Sequence, residues 1–433
     1  MTGSNPSRTE PVVQAPEATV VRVRGQRSPN FWRRTFAALQ HPNYRRWFVG
    51  QLVSLIGTWM QTTAQGFLVY ELTHSTAYLG YVGFASGVPS WLFMLYGGVV
   101  ADRVERRKLL VITQSIMMLL AFILAALTFT DLVQPWHVVL LALALGTANA
   151  FDAPSRQAFV LELVDRRDMT NAIALNSSLF NLATVIGPSV AGVTYAAVGA
   201  SWCFLLNGVS YVAVIAALLL MHIAPREVIP HRRSVLAQLQ EGLSYTLKSR
   251  LLRTLIAIPA VVALFGMAYA TLLPAWSVDV LGGDATTNGL LQSARGAGSL
   301  IGALMIAALA HTVRRGRWVT TGTIVFPVLL LVFAAVRQVS LSMLVLVGIG
   351  WGSMVVFNLA NSLVQSHVSD ELRGRVMSIY TLTFFGGMPL GALWSGTLAG
   401  IIGAPPTVVV SALVVLAFAL FLWIAVPSVR RLT

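Results

Sequence analysis

Twelve apolar stretches, each long enough to cross a bilayer, divide this chain into two groups of six. A bilayer's hydrocarbon core takes about 20 apolar residues per helix. The expected spans are 47–70, 79–101, 109–130, 136–155, 172–197, 202–221, 254–276, 288–310, 318–336, 341–365, 376–400 and 407–426. The pattern predicts an all-α integral membrane protein of twelve transmembrane helices in two pseudo-symmetric six-helix bundles. Residues 1–45 form a basic cytoplasmic tail and 46–221 the first bundle, while 222–253 is a polar cytoplasmic linker and 254–433 the second bundle. Two six-helix halves most often make a secondary transporter, but fold alone does not prove function.

Only 11% of the residues are charged and 56% are hydrophobic. A soluble domain carries about 25% charged residues, so no separate soluble domain is left over. The net charge of +14 would suit nucleic acid, yet its distribution argues otherwise. Of the 30 Lys and Arg residues, 28 fall in the two tails and in alternate loops. The remaining loops hold only Arg337, and Arg295 lies inside a span. Positive charge stays on the cytoplasmic side during insertion. Both termini are therefore expected in the cytoplasm, with the basic loops touching anionic lipid and no nucleic acid bound. Cys203 is the one cysteine, so neither an intramolecular disulfide nor a cysteine metal cluster can form. Residues 1–30 contain no apolar core segment, so no signal peptide is expected. Their Pro, Ser, Arg and Thr content predicts disorder. Phe31, Trp32, Arg33, Arg34 and Phe36 then read as a short amphipathic segment on the inner leaflet.

The halves show weak self-similarity. Gly146 to Val164 has the interval of Gly350 to Val368, and Gly80 to Asp102 that of Gly289 to His311. Pro188 in span five matches Pro389 in span eleven, each followed by a glycine, Gly192 and Gly391. Repeats of this kind build transporters with the substrate site between the halves. Small residues are common in all membrane helices, and it is the shared order of several landmarks that favours a repeat.

The strongest local signal is Gly98-Val-Val-Ala-Asp102-Arg103-Val-Glu105-Arg106-Arg107-Lys108, in the loop after span two. It resembles the cytoplasmic loop signature of the major facilitator superfamily, with Glu105 at the usual glycine. The resemblance implies a conformational gate of Gly98, Asp102, Arg103, Arg106 and Arg107 against Arg373-Gly374-Arg375 at the start of span eleven. The second half has His311 in place of the acid, so the gate is expected to be asymmetric. Other segments narrow the group: Gln51 to Gln61, Phe151-Asp152-Ala-Pro154-Ser-Arg156-Gln157-Ala-Phe159, Asn171 to Asn176 and Leu273-Pro274. These look like the transmembrane secretion effector branch, which includes enterobactin-exporter-like proteins, over about 40–427. The branch implies a bacterial inner-membrane exporter of siderophores, macrolides or other small molecules. Thr184 stands where many relatives have an arginine, so that arginine's role is not carried over. Gly187, Pro188 and Gly192 resemble part of the antiporter signature of span five; physically they make a closely packed, kinkable helix.

Polar residues inside the spans are the candidates for a substrate cavity. Span one carries Ser54, Thr58, Gln61 and Gln65 at helical spacing. Asn149 lies in span four, Tyr269 in span seven, Gln292, Arg295 and Ser299 in span eight, and Asn358 and Asn361 in span ten. Span five adds Ser177, Asn181 and Thr184. Such a stripe faces either a watery cavity or a neighbouring helix that it hydrogen-bonds. Asp152 is the only acid within an expected span, four residues before Arg156. The two either form a structural ion pair or carry the coupling proton. Arg295, about two turns from the outer face, either snorkels toward Asp279 or Asp284 or serves as counter-charge for an anionic substrate such as a catecholate.

Together these readings predict an exporter working by alternating access, powered by the proton gradient and acting as a monomer without cofactor. An importer of the same fold is the first alternative. A membrane-embedded enzyme is a remote one: no P-loop, H-E-x-x-H or G-x-S-x-G occurs. The seven histidines are scattered, and Gly296, Gly298 and Gly302 suit helix packing better than nucleotide binding.

Overall fold

The computed structural model describes residues 2, 35–221, 235–309 and 314–432. His311, the start of the linker and all of the expected amphipathic segment except Phe36 lie outside the described residues. Every regular element among the described residues is helical. The first six long helices are α1 (Pro42–Thr73), α2 (Thr76–Arg103), α3 (Arg106–Phe129), α4 (Pro135–Val160), α5 (Met169–Val198) and α6 (Ala200–Leu219). A linker helix, Val235–Lys248, follows. Then come α7 (Arg250–Val280), α8 (Ala285–Leu309), α9 (Arg315–Ala335), α10 (Val339–Ser366), α11 (Asp370–Ile402) and α12 (Ala404–Ala425).

Ten of the described helices are long and apolar enough to cross a bilayer, and the bent α2 makes an eleventh. Helix α1 falls short by composition although it is 32 residues long. Its own polar residues, from Gln51 to Gln65, dilute it. Helix α2 bends by 57° between Thr76–Met94 and Tyr96–Arg103. Pro89 and the Gly97-Gly98 pair flank that bend, and such residues are the usual cause of one. Helix ends follow local chemistry. Pro42 opens α1, where its missing N–H costs nothing, and His74 closes it in the left-handed conformation at φ 46°. Single glycines turn α5 into α6 and α11 into α12, Gly199 at φ +91° and Gly403 at φ +89°. The helices outrun the expected spans because a helix continues past the hydrocarbon. Thus α7 reaches Val280, and Asp279 joins its last turn.

Helix α7 is not regular. After Arg250–Leu264 it tightens to a 3₁₀ stretch at Gly266–Leu272 and later widens to a π turn at Trp276–Val280. Such departures recur at functional hinges.

The repeat-matched residues do matching work. A Cβ on Gly146 of α4 would come within 2.2 Å of the Ser86 carbonyl oxygen of α2. One on Gly350 of α10 would come within 2.0 Å of the Arg295 carbonyl oxygen of α8. Ser86 and Arg295 are related by the same offset as Gly80 and Gly289. Between the first and second groups of helices, α2 packs on α11 and α5 on α8. Gly80 meets Gly396, and Gly87 meets Pro389. Gly289 meets Pro188 and Gly192, and Gly296 meets Thr184. Gly298 and Gly302 press on α10, so the glycine run of α8 is packing throughout. Buried apolar clusters stay within one half of the chain, except that Ala275 joins a first-half cluster.

Candidate functional site

The loops rich in arginine lie at one end of the helices, termed the basic end. There, Arg106 pairs with Asp102 at 2.9 Å and with Glu162 at 2.5 Å. Arg107 donates to the carbonyls of Leu218 and Leu219, the last carbonyls of α6, at 2.7 and 2.9 Å. Cations are favoured at a helix C-terminus. Glu105 has φ −57°, so the turn needs no glycine at that place. Arg373 pairs with Asp370 and donates to the Gln365 carbonyl, while Arg375 pairs with Glu241 of the linker helix. The expected contact of Asp102 with Arg373 or Arg375 is therefore not made in this conformation. Gly98 and Gly374, one from each side of that gate, would have no neighbour within 4 Å of an added Cβ. Arg103, beside them, is exposed.

At the opposite end the two groups of helices are joined. The Tyr70 hydroxyl of α1 donates to Asp279 of α7, and the Thr63 hydroxyl donates to Gln292 Oε1 of α8 at 3.4 Å. Gly66 of α1 packs on Pro274. Beside these contacts, Tyr195 donates to Glu71. A pocket of about 490 Å³ lies there, lined by Phe67, Glu71, His74 and Asp284 among others. The sequence did not mark Tyr70, Glu71 or Thr63 as site residues, and it named Asp279 only as a partner for Arg295. Both acids sit in final helical turns that read as loop.

The α1 stripe turns inward to its neighbours. Ser54, Gln61 and Gln65 are buried. Asn207 of α6 donates to Gln61 Oε1 at 2.6 Å, and Thr58 meets the Tyr211 hydroxyl at 3.4 Å. Gly57 lets α6 come this close: a Cβ there would meet Ser210 and Asn207. Gln61 and Thr58 therefore bond to α6, and Ser54 and Gln65 are buried on α1. Between Gln51 and Gln65, Thr62 is the exposed polar residue instead. Ser177 of α5 and Asn358 of α10 are exposed as well, Asn181 of α5 is half-buried, and each bonds only within its own helix. Exposed polar side chains at mid-span face water rather than lipid. Asn361 is half-buried and accepts from Gln365, and Asn149 is half-buried one turn from Asp152.

Asp152 is fully buried. Its Oδ1 accepts from Thr113 at 2.9 Å and from Gln114 at 2.8 Å, both on α3. Arg156 Nε lies 3.6 Å from Oδ2, and its guanidinium reaches Gln51 of α1 at 3.5 Å. Oδ2 itself accepts no hydrogen bond, and Gln51 Nε2 and Gln114 Oε1 are also unpartnered. The expected ion pair exists, but the network around it is only half satisfied.

Arg295 is the eleventh of the 25 residues of α8. The helix begins at Ala285, earlier than expected, so Arg295 is nearly three turns deep rather than two. The snorkelling partners are occupied elsewhere: Asp279 holds Tyr70, and Asp284 accepts from the backbone and hydroxyl of Thr287 at 2.9 and 3.2 Å. Among the described residues no carboxylate pairs with Arg295. Tyr269, in the 3₁₀ stretch of α7, lies beside it, 1% exposed. One histidine does join acids: His41 lies 2.9 Å from Asp168, and Asp165 is close by. That cluster ties the start of α1 to the turn before α5.

A family model described as transmembrane secretion effector matches residues 33–432. The staphyloferrin A transporter of Staphylococcus aureus is 26% identical over 82% of this chain and 89% of its own length. An enterobactin exporter of Salmonella typhimurium is 25% identical over 90% of this chain and 94% of its own. Solved structures with the same fold include a bacterial homologue of the human lysosomal transporter Spinster, inward-facing and unoccupied. Its TM-score is 0.68 at 13% identity, over 90% of this chain and 96% of that one. A D-xylose–proton symporter gives a TM-score of 0.69 at 12% identity, over 89% of this chain and 99% of that one. These proteins are transporters, not enzymes.

Proposed function

We propose that this chain, which belongs to the transmembrane secretion effector branch of the major facilitator superfamily, exports siderophore-like small molecules by alternating access. The observation that carries the reading is the asymmetry of the two ends. One is tied by Tyr70–Asp279 and Thr63–Gln292, while at the other Asp102 pairs with Arg106 and Arg373 with Asp370, each within its own half. Polar residues exposed at mid-span then line a cavity open to the basic end. The positive-inside rule makes that end, and both termini, cytoplasmic. Helix α1 counts as a span in this reading: its polar stripe is covered by α6 rather than by lipid. That gives twelve spans in two six-helix halves, 46–221 and 254–433, linked by 222–253.

Two relatives named for siderophores support the substrate class, and the one named an exporter supports the direction. The proton gradient supplies the energy, with Asp152 as coupling carboxylate: it is fully buried with one oxygen free of any hydrogen bond. On closing the cytoplasmic side, Asp102 leaves Arg106 for the Arg373–Arg375 turn. A monomer in contact with anionic lipid is sufficient for this cycle.

In cells loaded with a labelled catecholate siderophore, expression of the chain should speed release at least tenfold. Asp102→Asn should return release to the level of cells lacking the chain, with the same amount of protein in the membrane fraction. Unchanged release would contradict export, and faster uptake would reverse its direction. Full activity of Asp102→Asn would remove the gate.

A further inference from the structure

Arg295 raises a physical problem that the helices around it do not solve. A cation at mid-span is costly, and it persists where an opposite charge or water answers it. Yet no carboxylate pairs with Arg295 among the described residues, and its Nε is buried without a hydrogen bond. Beside it the Tyr269 hydroxyl is equally buried, with Arg295 as its polar neighbour and no hydrogen bond of normal geometry. Two buried polar groups thus converge with no anion between them. An unmade hydrogen bond of this kind carries the full desolvation penalty of the group.

Position gives the pair its meaning. Gln292, which meets Thr63 across the closed end, is three residues before Arg295 on α8, one turn further from the basic end. Arg295 therefore lies one turn below the seal, on the side toward the basic end. Tyr269 sits where α7 is wound as a 3₁₀ helix, so its place is set by an irregular, adjustable segment. Gly350 allows α10 to press against the backbone of Arg295 and hold it there.

We propose that Arg295 and Tyr269 form an anion-binding site for the carboxylate or catecholate oxygens of the transported molecule. This rests on the transporter reading above and narrows its substrates to anions. A planar guanidinium matches two such oxygens at once, and the phenol donates to one of them. The bound anion supplies the missing acceptor for both donors. It also sits one turn from the Thr63–Gln292 contact that must part when the other side opens.

The test is equilibrium binding to purified protein in lipid nanodiscs, using 2,3-dihydroxybenzoate and its neutral amide as probes. Wild type should bind the anion at least tenfold more tightly than the amide. Arg295→Gln should lose that preference while binding the amide as before. Arg295→Lys should keep part of the preference, and Tyr269→Phe should weaken the anion severalfold. Equal binding of the two probes by wild type, binding of neither, or a preference surviving in Arg295→Gln would each overturn the site. Gradient-driven transport without any anion preference would sink the site and leave the transporter standing. An anion preference lost in Arg295→Gln, together with no transport of any compound, would keep the site and sink the transport reading.

Discussion

With Thr63 and Gln292 both replaced by cysteine and bridged through two disulfides by a short bis-methanethiosulfonate, transport is expected to fall to background. Reductant should restore it. The two side chains meet at 3.4 Å across the closed end, one on α1 and the other on α8. A cycle that opens this end must separate them, so a covalent bridge stops it whatever the substrate. The background is easily prepared, because Cys203 is the only native thiol and is buried against the Ala191 carbonyl. A buried free cysteine behaves as a small apolar side chain, so Cys203→Ala should leave the fold unchanged. The readout is siderophore release before cross-linking, after it and after reduction. Undiminished release by the bridged protein would mean that this end does not open during transport.

Asp152 carries the second large effect, and two substitutions separate its roles. Asp152→Asn keeps an oxygen for Thr113 and Gln114 but removes the charge opposite Arg156. It should abolish gradient-driven transport while the protein remains folded. Asp152→Ala removes the acceptor as well and leaves a partly buried guanidinium without its counter-charge. Breaking such a pair costs about 3–5 kcal/mol, so thermal unfolding of the purified protein should shift down clearly. Equal thermal shifts with full transport in Asp152→Asn would make the residue a structural brace and no more.

Much of this arrangement was legible in the residues. Glycine spacing located the contacts, because only glycine lets two helix backbones approach at Gly146–Ser86 or Gly350–Arg295. The basic loops located one end. The face presented by α1 was less legible. A period of three to four shows that Ser54, Gln61 and Gln65 share a side, but not what they meet. Deciding that required Asn207 and Ser210 on α6, more than 140 positions away, together with the notch at Gly57. The closed end was hidden for a related reason. Apolar length marks where hydrocarbon ends, whereas α1 and α7 run on for another turn and carry Glu71 and Asp279 with them. Tyr70 finds Asp279 across 209 positions, a separation that no local pattern encodes. Arg295 stood out in both views: it is the sole base inside an expected span, and the fold leaves it without a carboxylate.

The central claim is gradient-driven movement of an anionic small molecule from the basic end to the other. Inside-out membrane vesicles test it most directly, because inward movement there corresponds to export. Labelled catecholate siderophore should accumulate in vesicles that contain the protein and are energised to an acidic interior. A protonophore should abolish the accumulation. Accumulation that is the same with and without the protein, or that survives collapse of the gradient, would contradict the account.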